Sequence, residues 1–311
     1  MAQVNSPASE FNELIKPRYW PIWVGIALFK SVSRLPLSAR WRVGRWLGAT
    51  GYYFARRRRH IVETNISLCY PQKSALDQRA LVRDNFRSSG ISLVETAYVW
   101  FSTPQRLAES QAIVDIEGLD YLQSAIAEGK GVLLLGMHLS TLDFCGALLG
   151  QVQPFDVMYR RNKNKLLEHI MTKGREQHFD STIERREVRQ VIRRLRQGAA
   201  VWYGPDQDYG RKHSVFAPFF GREAATITAT ARIVRMTNAA VITYSHFRNL
   251  ETGRYRIVLS EPLRDFPVED DVSNAKLVNQ LVEAAINEAP EQYWWLHRRF
   301  KTTPEGTPPP Y

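Results

Sequence analysis

His138 and Asp143, with four residues between them in GMHLSTLDF, are types that can move a proton together. Five positions along a regular helix turn through about 140°, so the two side chains cannot share one helical face. The helix must begin between them. Ser140 or Thr141 is a natural N-cap, which leaves His138 in the approach loop and Asp143 in the first turn, its carboxylate able to reach back to the imidazole. A general base needs that arrangement: one ring nitrogen held by an acid, the other aimed at a hydroxyl. The same letters have a plainer reading as a capping box, since acids favour helix N-termini in any case. Spacing alone does not choose between the two.

The remaining chemistry-bearing residues narrow the options. His60, His169, His178 and His213 sit among charged neighbours and are expected to be solvated; His246 falls on a strand, and His297 reads as structural. No HExxH, GxSxG or Walker loop is present, and the two cysteines, Cys69 and Cys145, form neither a disulfide framework nor a thiolate metal site. The expectation is a mechanism without metal or cofactor, in a reducing compartment.

The elements that must position His138 alternate. A short strand near 113–117, the apolar run GVLLLG at 131–136, FDVMY at 155–159 and AVWYG at 200–204 are separated by helical patterns, including 164–178 and 187–197. This is an α/β chain with a largely parallel central sheet flanked by helices. His138, Arg160 and Asp206 each follow one of these strands, so their loops should emerge at one carboxyl edge, where open α/β sheets bind ligands. Arg160 and Asp206 are therefore candidates for binding a substrate or an oxyanion; the competing reading is an ion pair between two loops. Arg186, Arg189, Arg193 and Arg196 step by three and four along a helix, either as a solvated face or as a docking stripe for an acidic protein.

The formal charge is +11, and the N-terminal stretch YWPIWVGIALF carries no charge. It is short of the roughly 20 residues that span a bilayer and lacks a convincing cleavage site. Arg18, Ile22, Ile26, Lys30 and Arg34 fall at four-residue steps, flanked by tryptophans and followed by the run Arg56 to Arg59. Membrane association is expected, whether spanning or lying on the surface. Nucleic acid is the other partner such basicity allows, but no RNA- or DNA-binding motif appears. Four regions result: a tail and anchor helix over 1–38, a basic helical layer over 39–111, an α/β core over 112–303, and a flexible tail over 304–311.

His-x4-Asp after a buried strand resembles the glycerolipid acyltransferase superfamily. YWPIWVGI, RRRRHIVETNISLCYP, NFRSSGISLVETAYVWF, VMYRRNKNKLL, VWYGPDQDYG, VFAPFFGREAATIT and APEQYWWLHRRFKTTPEG, in that order, resemble the lipid A late acyltransferases, close to the lauroyltransferase branch. Glutamate is frequent there where this chain has Asp143, which bears on the branch and not on the chemistry. The resemblance implies acyl transfer from acyl carrier protein to a hydroxyl of a Kdo-bearing lipid A precursor, at the cytoplasmic face of the inner membrane, by a monomer. A related acceptor, another phosphoglycerolipid or glycolipid, is the alternative. His138 would take the hydroxyl proton and return it to a thiolate that leaves readily, with a thiol pKa of about 8.5.

Overall fold

GVLLLG forms the strand its composition predicts, Val132–Gly136, with every residue buried. The computed structural model describes residues 14–311. Among the described residues there are nine strands: β1 (Val114–Glu117), β2 (Val132–Gly136), β3 (Asp156–Tyr159), β4 (Thr182–Glu184), β5 (Ala200–Tyr203), β6 (Ser214–Phe219), β7 (Arg222–Ile227), β8 (Ala240–Asn249) and β9 (Arg254–Leu259). Seven form one sheet in the order β1-β9-β8-β2-β5-β3-β4, parallel except where β8 meets β9. Alternate residues of β2 point to opposite faces. Val132 and Leu134 join one apolar cluster and Leu133 and Leu135 another, so both faces are covered, as a parallel sheet requires.

The helices are α1 (Trp20–Val32), α2 (Leu37–Phe54), α3 (Arg56–Cys69), α4 (Ala75–Phe101), α5 (Pro104–Ala108), α6 (Leu119–Ala127), α7 (Leu142–Val152), α8 (Lys165–Arg175), α9 (Val188–Arg196), α10 (Ala229–Thr237) and α11 (Asp271–Glu288). Long α4 is capped by Ser74, which accepts from the Asp77 amide. It crosses α2 so closely that a Cβ on Gly48 would lie 2.1 Å from the Phe86 carbonyl oxygen and one on Gly90 2.2 Å from that of Gly44. Only glycine permits that approach.

Three details depart from expectation. The segment 214–227 forms an antiparallel hairpin, β6–β7, separate from the main sheet rather than a further strand–helix unit of it. His178 is buried, its Nε2–H donating to the Val99 carbonyl at 2.9 Å, because the chain after α8 packs between the ends of α4 and α7 instead of facing water. The tail 304–311 ends docked: Tyr311 donates to Asn65 Oδ1, and its hydroxyl accepts from the Phe300 amide.

The anchor segment 1–38 lies partly outside the described residues. Within the described part, Ile22 and Ile26 of the expected stripe turn inward and pack beside Leu166 and Tyr19. Its most exposed large apolar side chains are Trp20, Val24 and Leu28, each just over 60% exposed. Among the described residues no helix is long and apolar enough to cross a membrane.

Candidate active site

Strands β2 and β5 are parallel neighbours, with Leu135 opposite Tyr203. Their carboxyl ends therefore deliver the next residues, His138 and Asp206, to the same place. His138 Nδ1 lies 2.6 Å from Asp206 Oδ1, and the His138 amide donates to Asp206 Oδ2 at 2.9 Å. One carboxylate thus fixes both the backbone and the ring of a single residue. As the carboxylate can only accept, Nδ1 carries the proton and Nε2 is the free acceptor. Asp206 is wholly buried, whereas the His138 side chain keeps 26% of its surface, enough to meet a substrate.

Burial alone would lower the His138 pKa, but the charge of Asp206 and its hydrogen bond outweigh burial and raise it. Asp206 moves the opposite way: burial opposes its ionisation, His138 more than compensates, and it stays a carboxylate. His246, buried and facing Thr141 Oγ1, is pushed down to about 3 by burial, and His297 to about 4. Neither competes with His138 as a base near neutrality.

Asp143 does not make the contact its spacing suggests. Arg175, in the last turn of α8, donates to Asp143 Oδ1 from Nε at 3.0 Å and Nη2 at 2.9 Å, and Thr96 of α4 donates to Oδ2 at 3.2 Å. With those partners the carboxylate turns toward α4 and α8, and Asp206 takes the imidazole. The helix does begin between His138 and Asp143, with Thr141 at the cap position, but Thr141 turns its hydroxyl to His246.

A slot of about 270 Å³ opens beside the imidazole. His138, Asp143 and Arg175 line it together with Trp202, Phe155 and Phe179. Arg160 also borders it, as the strand-end reading expects, while Asp206 stands behind His138 and only its neighbour Gln207 reaches the slot. Arg185 forms part of the wall, and Arg186 borders an adjoining hollow with Arg161 and Lys163. The arginine stripe is shorter than expected. Arg186 precedes α9, and Arg196 donates twice to the Met236 carbonyl, securing the end of α10; Arg189 and Arg193 remain exposed on the helix.

Two further contributors support the site, and sequence reasoning missed the first of them. Arg175 lies in an ordinary basic helix end, with no local signal of its partner. The segment 292–294 clamps the His138 loop by backbone bonds: the Trp294 amide donates to the His138 carbonyl at 2.9 Å, the Ser140 amide to the Gln292 carbonyl at 2.6 Å, and Leu139 bridges Tyr293. Its aromatic density was the available signal. Arg299 from the same motif is buried, bonded to Ala225, Thr226 and Asn279, and His297 Nε2 accepts from the Asp208 amide. Lys301 donates to the Asp208 carbonyl, and Arg298 stacks over Tyr311.

Comparison with known proteins gives the chain's family. The family model for bacterial lipid A biosynthesis acyltransferases matches residues 9–302. The chain is 38% identical to the lipid A biosynthesis lauroyltransferase of Escherichia coli over 96% of its length and 97% of the relative. It is 37% identical to the palmitoleoyltransferase of the same organism, again over 96% and 97%, and 29% identical to the myristoyltransferase over 97% and 94%. With a buried carboxylate holding a histidine at the mouth of an apolar slot, and similarity running almost end to end, the chain belongs to the bacterial lipid A biosynthesis acyltransferase family.

Proposed function

We propose that the protein transfers a fatty acyl chain from acyl carrier protein to a hydroxyl of a Kdo-bearing lipid A precursor, without metal or cofactor. The observation that carries the reading is the Asp206–His138 pair, with Nε2 free, beside an apolar slot. Nε2 accepts the hydroxyl proton as the alcohol oxygen bonds to the thioester carbonyl carbon. The resulting oxyanion needs donors aimed at it, and Arg160, Arg175 and Arg185 are cations bordering the slot. Collapse breaks the carbon–sulfur bond, and the imidazolium returns the proton to the departing thiolate. Asp206 keeps the tautomer and stabilises the imidazolium; Asp143 acts through Arg175, holding its guanidinium beside the slot.

Arg160, Arg161, Lys163, Arg185 and Arg186 gather near the slot mouth, and Arg189 and Arg193 extend that charge along α9. An acidic carrier docks by complementary charge, so its acylated arm would enter there. On the N-terminal side, Trp20, Val24 and Leu28 offer an apolar surface to a bilayer. Arg56 to Arg59 begin α3, where cations oppose the helix dipole; an anionic leaflet at the inner membrane's cytoplasmic face would offset that cost.

The relatives named for lauroyl and palmitoleoyl transfer are almost equally similar to this chain, so overall similarity does not assign the acyl length. The test is to incubate purified protein with acyl carrier protein thioesters and Kdo-bearing precursor and weigh the product. One added acyl group, bound as an ester and absent when the precursor lacks its free hydroxyl, is expected. Equal transfer to a phosphoglycerolipid, or none from the carrier thioester, would overturn the reading.

A further inference from the structure

Helix α7 starts beside His138 and runs inward from it, and Leu142, Asp143 and Gly146 all line the slot. Positions four apart share a helical face and lie about 6 Å apart along the axis. Leu142 and Asp143 therefore stand at the mouth and Gly146 a turn deeper, among Phe155, Phe179 and Tyr244. The residues on the other faces of α7, including Phe144, Cys145, Ala147 and Leu148, are packed in the core.

Gly146 is not required by the backbone. Four residues further, Gly150 is: a Cβ there would come within 2.4 Å of the His178 carbonyl oxygen. At Gly146 the nearest atoms to an added Cβ would be Phe179 Cζ at 3.4 Å and Tyr244 Oη at 3.9 Å, ordinary contact distances. Glycine inside a helix costs about 1 kcal/mol relative to alanine. A fold that could accept a methyl at this position keeps the less stable residue, and what the methyl would fill is the slot.

We propose that Gly146, facing the edge of Phe179, sets the length of the acyl chain the enzyme accepts. The inference rests on the proposed function in taking the slot's occupant to be the donor's alkyl chain. Each added carbon at 146 shortens the space beyond His138, and each atom removed from Phe179 lengthens it. Phe179 packs edge to face against Phe155 with ring centres 5.3 Å apart, so a smaller residue at 179 opens depth at the wall itself.

The experiment compares wild type, Gly146→Ala, Gly146→Leu and Phe179→Leu in full-length protein, with an equimolar mixture of carrier thioesters from eight to sixteen carbons. One methylene in an apolar pocket discriminates by about tenfold or more. The ratio of short to long product should rise by about that factor in Gly146→Ala, further in Gly146→Leu, and fall in Phe179→Leu. The thermal midpoint of Gly146→Ala should not drop. A product ratio in Gly146→Leu equal to that of wild type, or an equal loss at all lengths in folded protein, would overturn the inference. Thermal shifts with free fatty acids of the same lengths provide a second readout that needs no transfer. If no variant transfers but the binding profile moves as stated, the assignment of Gly146 stands while the proposed donor or acceptor is wrong; an unmoved binding profile overturns the assignment.

Discussion

The loop after β5 and the first turn of α7 each bring a carboxylate near His138, and they differ in what holds that carboxylate. Asp206 is completely buried and spends both oxygens on His138, one on its ring and one on its amide. Asp143 is partly exposed and divides its oxygens between Arg175 and Thr96, on two other helices. The first arrangement fixes a tautomer; the second fixes a cation. Proximity in sequence is thus a poor guide to which acid serves the base, because the neighbouring strand delivers the better-aimed one.

That contrast can be broken most directly at the base itself. His138→Ala should lower turnover by about a hundredfold or more with the melting temperature little changed, since an alcohol has no other base in reach. Retention of a tenth of wild-type turnover in single-turnover assays would remove His138 from the mechanism.

Asp206→Asn comes next, with a loss on the order of a hundredfold, because an amide can present N–H to Nδ1 and favour the wrong tautomer. The pH profile sharpens this. In the proposed mechanism His138 is the neutral base, so the rate of wild type should rise with pH and level off with a midpoint above the ordinary histidine value of 6.5. Without the Asp206 charge, burial prevails and the midpoint should move to lower pH while the plateau falls. A midpoint that stays in place would show that another group titrates.

Asp143→Asn should cost less, about tenfold, the worth of one hydrogen bond to a charged group. Its pH midpoint should stay close to that of wild type, and Arg175→Gln should show a similar loss that does not add to it. If instead Asp143→Asn shifts the midpoint as far as Asp206→Asn does, the two carboxylates share the histidine.

Much of this arrangement is legible in the sequence. GVLLLG, FDVMY and AVWYG read as strands and fold as strands, and the rule that ligands gather at strand carboxyl ends brings His138, Arg160 and Asp206 to one edge. What no local pattern carries is strand order. Asp206 meets His138 because β5 lies directly beside β2, a choice made by packing across 60-odd residues of intervening chain. The N-terminal helix shows the same limit: a four-residue step puts Ile22 and Ile26 on one stripe, but it is α4 and α8, distant in sequence, that make this stripe turn inward.

The smallest expected effect concerns the exposed stripe. Replacing Trp20, Val24 and Leu28 by serine should weaken flotation with anionic vesicles and leave turnover on detergent-dispersed substrate within about twofold, as these side chains face away from the site. Loss of turnover without loss of flotation would mean that α1 supports the slot through its packing on α8.

The clamp on the His138 loop has a consequence for synthesis. Its hydrogen-bonding partners, Gln292 to Trp294, are translated long after His138 itself. A nascent chain that has already paired β2 with β5 still lacks the segment that seats this loop. A chain truncated before Gln292 leaves the His138 loop without these backbone partners, so completion of the site waits on residues translated after every strand of the sheet.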